Sequence, residues 1–136
     1  MKSFLLCIPK KNPNFWAIVE GRPFGVTVQK VDSGVDTGEI IAQKEIHYDW
    51  CDTGGTLYKK AVVEAVNLFK KVYINIRKGQ FETVIQDGGG SFHLADELEP
   101  ASEIVLDKKY EGRHLLNLLR ARTFDNHPSC YFEENG

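Results

Sequence analysis

Cysteine is scarce and odd in number: Cys7, Cys51 and Cys130 stand far apart in the 136 residues. Three scattered thiols give neither a disulfide framework nor the paired Cys-x-x-Cys spacing of a structural zinc site. Reduced thiols in a cytoplasmic setting are the expectation. No apolar run approaches the roughly 20 residues that cross a bilayer. The apolar start, Phe4 to Ile8, is cut short by Pro9, Lys10 and Lys11 with no small-residue cleavage site after it. It reads as a buried strand and not as a signal peptide. Charge of one sign is also lacking. A net charge of -2 provides no surplus for gripping nucleic acid or an anionic membrane. Internal repeats and low-complexity tracts are absent. His47, Asp49 and Cys51 alternate and could face a metal from one strand, but no ligand spacing supports this. A polar strand edge running into a loop is the better reading, and no metal is expected.

What is present is an ordinary globular composition, 42% hydrophobic and 26% charged, enough for one core or two small ones. Asn12-Pro13-Asn14 offers a helix start, Phe15, Trp16, Ile18 and Val19 an apolar side, and Gly21 a stop. Val26 to Val31 and Glu39 to Ile46 are extended runs that should pair across the short loop between them. After Gly54-Gly55, Leu57, Ala61, Ala65, Leu68, Phe69, Val72, Tyr73 and Ile76 recur at helical intervals, with Thr56 as the expected cap. Thr83 to Ile85 is read as a short strand before Gly88-Gly89-Gly90. That triple glycine lacks the Lys-Ser/Thr of a phosphate loop and reads as a turn. Asp107 to Thr123 is expected as a second helix with Leu115, Leu116, Leu118 and Leu119 mostly inward. Tyr131 and Phe132 could begin a strand.

The loop from Asp32 to Gly38 places two acids, Asp32 and Asp36, between glycines and between strands. A scaffold holds such an acid firmly and leaves it free to meet a ligand. Taken alone, Asp36 would be an Asx-turn residue. The run Val31-Asp-Ser-Gly-Val-Asp-Thr-Gly38, with Leu115-Leu-Asn-Leu-Leu-Arg-Ala-Arg-Thr-Phe124 and His127-Pro128, resembles the formyltransferases that use 10-formyltetrahydrofolate. The resemblance covers the chain from about Asn12 onward. The Asn12-Pro-Asn-Phe-Trp-Ala-Ile segment resembles the branch acting on nucleotide sugars.

The resemblance implies an α/β fold: a partial formyltransferase-type mixed sheet, packed helices and a small C-terminal appendage. Residues 1–80 would be the C-terminal half of a catalytic domain and residues 81–136 a partial C-terminal subdomain. Asp36 matches the catalytic acid. Asp32, Gly34, Thr37 and Gly38 match the loop at the cofactor. Asn12, Trp16, His93 and Arg120 are the candidate substrate contacts, with Arg122 and His127 as further possibilities. In this family an Asn and a His face the developing oxyanion, and the Asp orients the His and handles protons. Here Ser3-Phe4-Leu5 matches part of the family's first signature. Leu6 stands where Pro is expected, Pro9-Lys10 where Arg-Gly is expected, and the His position falls on Met1. A His common on the strand before the acid loop is Gln29.

The expectation is therefore a truncated and inactive copy of an enzyme that transfers formyl to a small-molecule amine, that of a nucleotide-linked amino sugar. Initiator methionyl-tRNA is the alternative acceptor; a non-catalytic remnant and half of a split enzyme are the alternatives for the chain itself. An apolar face left by a missing N-terminal half would favour a homo-oligomer or a complementing partner.

Overall fold

The computed structural model describes residues 4–7, 12–34, 38–86 and 93–136. They divide into two compact units. Unit 1 takes residues 1–9, 23–47 and 60–91, and unit 2 takes 10–22, 48–59 and 92–136.

Unit 1 is built on a three-stranded sheet, β1 (Phe4–Cys7), β2 (Gly25–Lys30) and β3 (Ile40–Glu45), in the order β1-β2-β3. Both pairings are antiparallel. Phe4 lies opposite Lys30, and Gly25 opposite Glu45, with an irregularity between Val28 and Gln29. The β-branched stretch of β2 is what a central strand needs. Val26, Thr27, Val28 and Gln29 are all buried, so both faces of β2 are covered. The expected pairing across the acid loop is thus observed. The expected strand at Thr83–Ile85 reduces to one bridge, in which Ile40 and Val84 exchange backbone hydrogen bonds of 2.8 and 2.9 Å.

Unit 2 is helical. It holds α1 (Pro13–Glu20), the first residues of α2 (Gly54–Lys78), a 3-10 turn at Ala95–Glu97, α3 (Leu98–Ala101) and α4 (Gly112–Ala121). Helix α1 stops where expected, with Gly21 left-handed at φ 63°. It packs against α4, and Phe15, Ala17, Ile18, Leu118 and Ala121 are buried. Helix α2 continues through residues 60–78 in unit 1. Its stripe is buried at Leu57, Ala61, Ala65 and Leu68, whereas Tyr73 is exposed.

Four local expectations are corrected. The cap of α2 is Thr53, whose hydroxyl accepts from Thr56 N–H at 3.2 Å while Thr56 Oγ1 accepts from Thr53 N–H at 2.9 Å. This reciprocal box displaces Thr56 from the cap to the third helical position. The helix expected from Asp107 begins only at Gly112. The chain before it turns back through Lys108 N–H to Val105 carbonyl and Val105 N–H to the Tyr110 hydroxyl, both 3.0 Å. Leu116 and Leu119 are exposed, because α4 turns Asn117, Leu118 and Ala121 into the core and leaves the opposite face outward. The strand expected at Tyr131 is a single parallel bridge to Glu103.

Candidate functional site

The acid loop leaves β2 at Lys30 and enters β3 at Ile40. Asp36 and Thr37 lie outside the described residues, whereas Asp32, Gly34 and Gly38 lie within them. Asp32 Oδ1 accepts from Gly34 N–H at 2.9 Å, a local turn that shapes the loop from its own side chain. At the other end the backbone approaches so closely that a Cβ on Gly38 would stand 1.6 Å from the Lys30 carbonyl oxygen. Only glycine closes the loop this way.

Five side chains brace that closure. Gln86 Nε2 donates to the Gly38 carbonyl at 2.7 Å and to Gln29 Oε1 at 3.0 Å. Gln29 is thereby held inside the sheet. Glu39 pairs with Lys30 and accepts from Thr83 Oγ1 at 3.1 Å. The Lys30 hydrogen bond, then that of Thr83, holds the Glu39 carboxyl below its ordinary range. Sequence reasoning missed Gln86 because nothing local marks a glutamine 57 positions away as the partner of Gln29.

The candidate substrate contacts belong to unit 2. Asn12 precedes α1 with a left-handed backbone, φ 53°, and makes no side-chain cap. Trp16 stacks flat on His93, with centroids 3.6 Å apart and planes 5° from parallel. The Trp16 indole nitrogen is buried with no acceptor. His93 lies between two acids, Nε2 at 2.6 Å from Glu20 and Nδ1 at 2.8 Å from Glu97. Only the protonated ring donates from both nitrogens. Burial opposes that charge, but the hydrogen bonds and charges of Glu97 and Glu20 outweigh it and raise the His93 pKa. The structure thus brings Trp16 and His93 together.

The two arginines considered from sequence part company. Arg122 is buried and pairs with Glu99 at 2.9 Å. Arg120 is anchored at the start of α2, donating from Nη1 to the carbonyls of Asp49 (2.7 Å) and Asp52 (2.9 Å) and from Nε to Asn117 Oδ1 (3.0 Å). Its guanidinium also lies over the ring of Trp50 at 4.8 Å. Trp50 was missed in the sequence, because nothing local marks a tryptophan before α2 as the partner of an arginine on α4. Among the described residues no cluster of His, Cys, Asp or Glu could hold a metal ion, and no helix is long and apolar enough to cross a membrane.

Two family models match the chain: Formyl transferase over residues 4–73, more than half of it, and N-formyltransferase dimerization C-terminal domain over residues 97–136. Among curated proteins, a dTDP-4-amino-4,6-dideoxyglucose formyltransferase of Mycobacterium tuberculosis is 28% identical over 120 residues. That alignment covers 88% of this chain and 51% of the relative. Methionyl-tRNA formyltransferases also match, over smaller shares of their length. The chain thus spans about half the length, or less, of the curated relatives it matches. Among solved structures, a 4-N formyltransferase from Francisella tularensis superposes with a TM-score of 0.90 at 25% identity, covering 97% of this chain and 57% of that one. A formyltransferase from Anoxybacillus kamchatkensis, solved with UDP-4,6-dideoxy-4-formamido-L-AltNAc and tetrahydrofolate, is 37% identical over 71% of this chain and 55% of its own, with a TM-score of 0.65. The α/β fold expected from the sequence is the fold of these neighbours.

Proposed function

The chain belongs to the formyl transferase family, and from that premise we propose that it serves transfer of a formyl group from 10-formyltetrahydrofolate to an amine on a nucleotide-linked sugar. The observation that carries this reading is the family match over residues 4–73, which includes the whole acid loop. When bound, 10-formyltetrahydrofolate supplies the formyl carbon, which passes to the amine as its bond to the folate nitrogen breaks. Asp36 is assigned the proton lost by the attacking amine, which is passed on to the leaving folate nitrogen. Asp32, Gly34, Thr37 and Gly38 form the loop that presents Asp36 beside the cofactor. The described loop suits that part as a scaffold, since Asp32 and Gly38 spend polar atoms on Gly34 and Gln86 within the unit. Asn12, Trp16, His93 and Arg120 stay the proposed substrate contacts, with the buried, unpartnered indole N–H of Trp16 the feature that supports a ligand there. The division at residue 80 is likewise proposed, the two family matches falling on either side of it. Residues 97–136 are proposed to pair two copies, in keeping with the dimerization domain they match.

The 136-residue chain by itself is proposed to be inactive, because only the Asp of the family's Asn, His and Asp stands at a matching position. The test supplies the chain with 10-formyltetrahydrofolate and dTDP-4-amino-4,6-dideoxyglucose and follows formylated product by mass. Background turnover is expected from the chain alone. Joined to the N-terminal half of a sugar N-formyltransferase, it should form product, and Asp36→Asn should lower that rate about 10²–10⁴-fold. Fast turnover by the isolated chain would overturn the inactivity. Product only with methionyl-tRNA would move the acceptor to the second reading, which the methionyl-tRNA relatives favour and the net charge of -2 disfavours.

A further inference from the structure

We propose that residues 81–86 act as a strap that sets the acid loop for catalysis, with Gln86 as the positioning residue through which the strap acts on Asp36. The segment lies outside both family matches, which cover residues 4–73 and 97–136. Val84 and Ile85 are 66% and 79% exposed, so burial of apolar surface is not what keeps it in place. Its contacts fall instead on the two shoulders of the loop. Phe81 receives the Lys30 ammonium 5.9 Å from its ring centre, where β2 runs into the loop. Thr83 Oγ1 donates to Glu39, Val84 pairs with Ile40, and Gln86 donates to the Gly38 carbonyl, all where the loop runs into β3.

Gln86 is the contact that bears on the loop itself. A carbonyl oxygen only accepts, so the atom 2.7 Å from the Gly38 oxygen must be the amide nitrogen of Gln86. The second hydrogen of that nitrogen goes to Gln29 Oε1 at 3.0 Å, and Gln29 is 4% exposed in β2. One amide nitrogen thus clamps the last carbonyl of the loop to a buried central strand. Beneath the clamp, Lys30 N–H donates to the Glu39 carbonyl at 2.9 Å and closes the neck of the loop. At the front, Asp32 is tied to Gly34. Asp36 stands two positions before Gly38 in the chain, between these two ties. An acid that moves a proton must be held to a fraction of an ångström, since a displacement of about 1 Å can cost 10²-fold in rate. The catalytic role rests on the formyl-transfer reading above; the clamp stands without it.

The test compares wild type with Gln86→Ala and Gln86→Glu. Glutamate keeps the length of the side chain, but its carboxylate cannot donate to either acceptor. In the full chain, hydrogen exchange at the Lys30 amide should quicken about tenfold in both variants. The Ile46 amide, bonded to the Phe24 carbonyl at the other end of the strands, should keep its rate. With the chain joined to the N-terminal half of a sugar N-formyltransferase, each variant should lower kcat about tenfold to a hundredfold and leave KM for the amine unchanged. In an Asp36→Asn background the same substitutions should lower the rate no further, a result that general loosening would not reproduce. Unchanged exchange at Lys30 would overturn the clamp, as would equal acceleration at Ile46. An undiminished kcat, or a full further loss in the Asp36→Asn background, would overturn the positioning role and leave the formyl-transfer reading intact. Absence of product from the joined wild type, with exchange at Lys30 still quickened in the variants, would refute that reading and the catalytic role while keeping the clamp.

Discussion

Unit 1 buries Thr27 and Gln29 within a strand, whereas unit 2 buries Arg122, Ser102 and Asn117 among helices and loops. In unit 1 the ladder satisfies the backbone, and a few neutral or exposed groups brace the acid loop. In unit 2 the ties are charged or reach carbonyls far along the chain: Arg120 to Asp49 and Asp52, His93 to Glu20 and Glu97, and Asn14 Nδ2 to the Gly54 carbonyl at 2.8 Å. The contrast teaches where each unit is vulnerable. Unit 1 depends on close backbone geometry, and unit 2 on packing and on the ionisation of side chains.

Both tryptophans, Trp16 and Trp50, lie in unit 2, so fluorescence reports that unit while far-UV dichroism reports the whole chain. The largest effect is expected from Ile18→Ala. Ile18 is 0% exposed in α1, and its truncation should cost about 2–5 kcal/mol, read as a lower denaturation midpoint by fluorescence. A loss under about 1 kcal/mol would mean that the unit 2 core is looser than its burial indicates.

Gly38→Ala and Gly54→Ala then put the same small change into each unit. The new methyls would stand 1.6 Å from the Lys30 carbonyl oxygen and 2.1 Å from that of Ala121. Each should cost about 1–3 kcal/mol, since both obstacles are backbone. Gly38→Ala should act more on the far-UV transition, and Gly54→Ala more on fluorescence. Identical shifts of both signals by both variants would break the comparison, showing that the units melt as one.

The smallest effect should come from titrating His93. Its folded pKa is raised above the ordinary 6.5, so its stabilisation is fully present below that value and is lost as pH rises through the folded pKa. The His93 hydrogen bond lowers the pKa of Glu97, whose share is present above the ordinary carboxylate value of 4.5 and is lost as pH falls through the folded one. The cluster should therefore stabilise unit 2 most in mildly acid solution. Denaturation midpoints of wild type and His93→Gln should differ most there and converge above neutrality. A constant difference from pH 5 to 9 would show that the Trp16 stack, and not the charge, is what His93 contributes.

Much of unit 1 was legible in the sequence, because its signals are local. Val26-Thr27-Val28 and Ile40-Ile41 mark strands by residue type, and Asp32 two residues before Gly34 is a turn written in the chain. The α1 stop at Gly21 and the first half of the α2 stripe were legible for the same reason. The start of α4 was not, because the turn before it is made by a tyrosine hydroxyl that periodicity does not register. Nor were the exposed Leu116 and Leu119 foreseen, since a helix with leucines on several faces does not reveal which one its neighbour covers.

The sequence by itself determined the family, the acid loop with Asp36 and the paired strands, since these rest on residue type at short spacing. Only the tertiary structure decided that Gln86 braces Gly38 and that His93 sits between two glutamates on Trp16. It also decided that Arg122 is buried with Glu99 while Arg120 stands over Trp50. Apart from His93 with Glu97, those partnerships join positions from about 20 to more than 70 residues apart, and their side chains acquire partners only when the fold excludes water and leaves each polar group one place to bond.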